Sequence, residues 1–243
     1  MTATKIEWTD KTWNPVTGCS KLSPGCAHCY AETMAHRLKA MGAAKYANGF
    51  APTLHYKALS EPENWRRPQT IFVCSMSDLF HQEVPFAFVD EVMDTIRRTP
   101  WHTYQILTKR AERMADYFQK SSVPNNVWLG VTIEAPALKP RLEYLRVLDP
   151  PIRFISCEPL VEDLGELDLS GIDWVIVGGE SGAQGRPMKP SWVHSLLEQA
   201  NRQGLAFFFK QWGAWGPDGI KRGKKSNGRE IDGQIMQTMP PRN

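Results

Sequence analysis

From residue 69 onward the chain alternates continuously apolar, β-rich runs with runs of helical period, and few folds accommodate that pattern. The apolar runs are QTIFVCSM at 69 to 76, HTYQILT at 102 to 108, NVWLGVT at 126 to 132, IRFISC at 152 to 157, DWVIVGG at 173 to 179 and LAFFFKQ at 205 to 211. Strands with no polar alternation are buried on both faces, as parallel strands are. Between them lie helix-like segments at 85 to 99, 109 to 120, 137 to 148 and 190 to 204; in the first, Phe88, Val92 and Ile96 recur at helical spacing. A further helix is expected from Cys29 to Met41, stopping at Gly42, preceded by a short strand near Lys5 to Trp8. Repeated βαβ units imply an α/β fold with a parallel sheet. Six or seven strands fall short of the eight of a closed barrel, so the expected architecture is a partial, open βα barrel, with a flat doubly wound sheet as the competitor.

A chain of 243 residues, 42% apolar, can bury one such core. The barrel is expected over 1–215, followed by a polar tail over 216–243 in which Asp232-Gly233 suggests a small hairpin. The N-terminus has no basic stretch followed by an apolar run, and no segment approaches membrane-spanning length, so a soluble, cytoplasmic protein is expected. The net charge of +3 permits a nucleic-acid partner without requiring one.

In a βα barrel, reactive groups gather where strands end at the C-terminal face. Here the ends read Ser75-Met76-Ser77-Asp78, Thr108-Lys109, Thr132-Ile133-Glu134, Ser156-Cys157-Glu158, Gly178-Gly179-Glu180 and Lys210-Gln211-Trp212. A charge after each buried strand, desolvated at a barrel mouth, needs either a ligand or a counter-charge. Glu158, Glu180 and Lys210 are therefore catalytic candidates. Cys157 beside Glu158 is read either as packing or as a hydrogen-atom donor or second metal ligand, whereas Cys74, inside an apolar run, packs as a small hydrophobe.

Five cysteines include three crowded into WNPVTGCSKLSPGCAHCYA, where Cys19, Cys26 and Cys29 follow a C-x6-C-x2-C pattern. Such spacing suits metal chemistry better than a disulfide framework. Three thiolates with no near fourth leave one iron of a 4Fe-4S cubane open to a small molecule, whereas structural zinc usually takes four ligands. The zinc alternative would be completed by His28 or, from the following helix, His36.

With its CxxC step and His28 before the last cysteine, this motif resembles the radical S-adenosylmethionine superfamily, although the six-residue first gap is longer than usual there. It is more similar still to an uncharacterised family of phage and bacterial proteins named for three cysteines, reading roughly WNPVTGC and then GCxxCYA. The resemblance implies a 4Fe-4S cluster on Cys19, Cys26 and Cys29, with S-adenosylmethionine chelating the open iron and an electron donor as partner. It further implies cofactor contacts: Ser75, Ser77 and above all Asp78 for the amino group, Lys109 for the carboxylate, and Glu134 or Thr132 for the ribose. Gly178 and Gly179 in VIVGGESG would let backbone approach adenine or methionine; the run lacks the spacing of a nucleotide-binding fingerprint.

The implied activity is reductive cleavage of S-adenosylmethionine to a 5'-deoxyadenosyl radical that abstracts hydrogen from a substrate. That substrate is read as a nucleic-acid base or a small molecule. Trp8, Trp13, Trp212 and Trp215 near the barrel ends, and the cluster Lys221, Arg222, Lys224, Lys225 and Arg229, would serve the former. The competing functions are a zinc-binding nucleic-acid module and a 4Fe-4S protein that does not use S-adenosylmethionine.

Overall fold

The computed structural model describes residue 4 and residues 6–241. Seven strands form one sheet: β1 (Lys11–Trp13), β2 (Thr70–Val73), β3 (Thr103–Thr108), β4 (Val127–Thr132), β5 (Arg153–Cys157), β6 (Trp174–Gly178) and β7 (Ala206–Gln211). Every pairing is parallel, and the spatial order is the chain order. A doubly wound sheet reverses its strand order at a switch point. This one never reverses, which removes the flat alternative. Right-handed crossovers then lay α2 (Phe86–Arg98), α3 (Ala111–Phe118), α4 (Arg141–Arg146) and α5 (Pro190–Arg202) along one face. The result is an open, partial βα barrel.

All six apolar runs become strands, with one early stop. The first ends at Val73 because Cys74 adopts φ 61° and begins a turn closed by the Ser77 N–H on the Cys74 carbonyl. The segment 137 to 148 does not form one continuous helix. A 3-10 turn at Pro136–Leu138 precedes α4, and Pro140, with no N–H to donate, stands at the helix start. The first strand is Lys11–Trp13 rather than a segment near Lys5 to Trp8: Lys5 lies outside the described residues, and Glu7 and Trp8 form a turn.

Period-two alternation divides the strand side chains between two cores. Val73, Ile106, Leu129, Val131, Ile155, Val175, Val177, Phe207 and Phe209 pack with α2 to α5 through residues such as Val92, Met114, Leu142 and Val193. The concave face carries Phe72, Trp128, Phe154, Trp174, Ile176 and Phe208, closed from below by Trp8. Trp174 is the hub. Its ring meets Trp8 at 6.0 Å, Phe154 at 5.5 Å and Phe208 at 6.1 Å, and its Nε1 donates to the Thr238 carbonyl at 3.1 Å. Aromatic packing thus fills the lower barrel, and the segments flanking the sheet in sequence seal it. The upper barrel is left to Leu107, Thr132, Ser156, Gly178 and Lys210, the next inward positions along the same strands.

After β7 the chain turns back over the barrel edge. Strands β8 (Glu230–Ile231) and β9 (Gln234–Ile235) form a hairpin across Asp232 and Gly233, both at positive φ. Ile231 is buried in the helix-side core, and the Met236 carbonyl accepts from the Phe209 N–H at 2.7 Å.

Candidate functional site

The three cysteines lie on a loop drawn across the C-terminal ends of the strands, and its contacts reach the segments after β2, β4 and β6. Gly18 bridges to Ser77 after β2 and donates to the Met76 carbonyl at 3.1 Å. The Ser20 hydroxyl lies 2.7 Å from Nε2 of the buried His81. Ser23 donates to the Glu134 carboxylate after β4. The Pro24 carbonyl accepts from Arg186 at 2.9 Å, and Arg186 in turn grips Glu180 after β6. A 3-10 turn at Pro24–Cys26 and the start of α1 (Tyr30–Ala40), where Cys29 is the N-cap, set the closely spaced pair.

Gly25 packs directly on the strand-end charges. A Cβ there would stand 2.8 Å from Glu134 Oε1 and 3.0 Å from Lys109 Nζ, so a side chain would have to displace that ion pair or lift the loop off the mouth. The thiols of Cys19, Cys26 and Cys29 are all free and partly exposed, in contrast to the buried Cys74 and Cys157. Burial pushes the Cys26 thiol up, but the Lys109 ammonium and hydrogen bonds from Leu22 and Ser23 outweigh it, leaving the thiol below its ordinary value. Cys19 goes the other way: burial and then the Asp78 carboxylate raise it to about 11, against the pull of Arg110.

The strand-end charges come together, but as ion pairs. Asp78 accepts from the Phe80 N–H, the Thr108 hydroxyl, the Lys109 N–H and Arg110 Nη1 at 3.0, 2.7, 3.1 and 3.0 Å. Its lone pairs are filled. Glu134, fully buried, binds Lys109 at 2.5 Å and Arg141 at 3.0 Å; burial raises its pKa, yet these cations and Ser23 bring it below the ordinary value. Glu180 holds Arg186 at 2.7 Å with the same balance, burial outweighed by the guanidinium. Glu158 pairs with Lys210 at 2.7 Å across the upper interior, and a Cβ on Gly178 would lie 3.1 Å from that carboxylate.

Several expected residues are otherwise employed. Cys157 does not share a site with Glu158. It belongs to the helix-side core, fully buried, because it is one residue out of phase with the inward Ser156, and burial pushes its thiol up. The Ser75 hydroxyl donates to Asn14 Oδ1 and that of Ser77 to the Val16 carbonyl. Thr132 is buried, and its carbonyl accepts from Arg141 at 2.6 Å. Gly179 makes a close backbone approach, but to the Trp212 carbonyl of its own chain.

Sequence reasoning missed Arg110, Arg141 and Arg186, the counter-charges of the mouth. It also missed Tyr30, 59% exposed, whose hydroxyl donates to the Ser75 carbonyl.

Among the described residues, no three or more His, Cys, Asp or Glu side chains converge tightly enough to hold a single metal ion. His36, the expected fourth zinc ligand, packs beside Gly49. Three free thiols on one loop are a donor set of the kind a cubane takes, one thiolate at each of three corners. A cleft of about 530 Å³ lies elsewhere, at the N-terminal ends of the strands between Trp101, Asn126, Trp128 and Pro241, and no cysteine or strand-end charge lines it.

The model of a protein family of unknown function, DUF5131, matches residues 3–240. No curated protein matches the sequence. Among solved structures, spore photoproduct lyase complexed with dinucleoside spore photoproduct is similar at a TM-score of 0.49 and 11% identity, covering 83% of this chain and 63% of that one. The same values hold for a double mutant of that enzyme with bound AdoMet and the dinucleoside. The chain therefore spans less than two thirds of the solved structures it resembles.

Proposed function

The chain belongs to the DUF5131 family, and we propose that it is a radical S-adenosylmethionine enzyme whose Cys19, Cys26 and Cys29 hold a 4Fe-4S cluster. One observation carries the reading: three free, partly exposed thiols lie on a loop across the C-terminal mouth of an open parallel barrel. When bound, the cluster would supply an electron for cleaving S-adenosylmethionine, so that a 5'-deoxyadenosyl radical can take a hydrogen atom from the substrate.

The chain's own residues supply position and dryness. The aromatic plug around Trp174 keeps water from entering the barrel from below. Lys109 is the natural cation for the cofactor carboxylate, since its ammonium stands beneath Gly25 next to Cys26; binding there competes with Glu134. Asp78, with every lone pair occupied, is better suited to fixing Arg110 than to receiving an amino group. The Glu158–Lys210 pair faces the upper interior and is the first candidate for substrate contact.

For the substrate we favour a nucleic-acid base. Lys224 and Lys225 are exposed and have no charge partner among the described residues, unlike Arg222 and Arg229, which pair with Asp218 and Glu7.

The test is to reduce the iron-loaded chain with dithionite in the presence of S-adenosylmethionine and assay for 5'-deoxyadenosine. Formation by the wild type and loss in Cys26→Ala are expected. An intact cluster that yields none would identify an iron-sulfur protein of another kind, and stoichiometric zinc in a colourless protein would return the zinc reading.

A further inference from the structure

Cys26 and Cys29 are fixed by local structure, the 3-10 turn and the start of α1. Cys19 lies across a six-residue gap and has no such support. Its tether is long-range. Arg110, following β3, directs Nη1 to the Cys19 sulfur at 3.5 Å and to Asp78 Oδ2 at 3.0 Å. Its Nη2 donates to the Ser20 carbonyl at 3.2 Å and the Ser20 hydroxyl at 3.1 Å. The guanidinium is held from behind. Asp78 is tied to Phe80, Thr108 and Lys109, and buried His81 meets the same Ser20 hydroxyl, so the fork cannot swing away without breaking several bonds. Arg110 is 11% exposed and Asp78 6%.

We propose that Arg110 is a positioning residue that delivers Cys19 to the cluster and raises the cluster's reduction potential through an N–H···S hydrogen bond. The proposal rests on the reading of the three cysteines as cluster ligands. One-electron reduction adds a negative charge that spreads onto the ligand sulfurs, and a donor aimed at one of them stabilises the reduced state more than the oxidised one. Asp78 neutralises the guanidinium at a distance, so the effect acts through the short contact. It is also unequal: Cys26 has the Ser23 hydroxyl at 3.6 Å and backbone hydrogen bonds from Leu22 and Ser23, but no guanidinium donor to Cys26 or Cys29 is found among the described residues.

The test is a redox titration of the reconstituted full-length chain, followed by electron paramagnetic resonance without S-adenosylmethionine. At the potential where the wild type is half reduced, Arg110→Gln should show a reduced-to-oxidised ratio about tenfold lower, a shift of ~59 mV for one electron. Arg110→Lys should recover part of that difference. Ser20→Ala, at an exposed position, should fold normally and shift the same way by less, and Arg202→Gln on α5 should not shift. If Arg110→Gln binds no iron, the Ser20→Ala and Arg110→Lys titrations decide. A wild type that takes up no iron would defeat the cluster reading itself; a loaded wild type indistinguishable from its loaded Arg110 and Ser20 variants would overturn this proposal alone.

Discussion

Buried Glu134 sits between Lys109, Arg141 and Ser23, and removing one member of such a set leaves the others uncompensated. Glu134→Ala is expected to lower stability by ~3 kcal/mol in chemical denaturation. The same carboxylates set the acid limb. The pKa values of Glu134 and Glu180 are depressed in the folded state, so their contribution is present above the ordinary glutamate pKa and is lost as pH falls through the folded values. The pKa values of His55, His81 and His102 are depressed too, by burial. A denaturation series should therefore show stability declining in two stages, first below about pH 6.5 and more steeply below about pH 4.5, the ordinary glutamate region; a decline with no steepening in the glutamate region would contradict this. Cys157→Ala should cost ~1–2 kcal/mol as a core truncation yet leave iron binding intact, in contrast to Cys26→Ala. At this scale the sequence announced the charges, Lys109 and Lys210 among them, but not the arginines that complete their pairing. A charge directly after an apolar run is visible in one dimension, whereas Arg141 and Arg186 reach the mouth only after helix placement and loop closure. The side of β5 on which Cys157 falls follows from parity with Phe154, and that phase was readable once the inward face was known.

At the scale of elements, β4 presents Gly130 to the concave face, where the Phe154 ring occupies the space a side chain would need. Gly130→Ala should cost about 1–3 kcal/mol through overpacking, read as a fall in thermal midpoint with the sheet still parallel. The long apolar strands were legible because burial on both faces leaves no alternation to confuse them. Strand β1 was not, since three residues, KTW, carry too little pattern, and the more apolar Ile6–Trp8 region drew the assignment. That apolarity has another use: Trp8 plugs the barrel floor against Phe72 and Trp174.

For the whole molecule, the order of strands and the sealing of the barrel by its flanking segments matter most. The segment after Trp215 donates or accepts bonds at Phe209 and Trp174 and buries Ile231, so a chain truncated after residue 215 should lose cooperative unfolding and not merely a tail. Among the described residues, no helix is long and apolar enough to cross a membrane. The cysteine loop, the strand-end ion pairs and the open barrel converge on one claim, that three thiolates hold an iron-sulfur cubane at the mouth. The most direct measurement is the iron, sulfide and zinc content of anaerobically reconstituted wild type and of the Cys19→Ala, Cys26→Ala and Cys29→Ala variants. The account predicts about four irons and four sulfides per wild-type chain, as a single cubane requires, with each substitution abolishing or sharply reducing both. One zinc per chain, or iron uptake indifferent to all three cysteines, would contradict it.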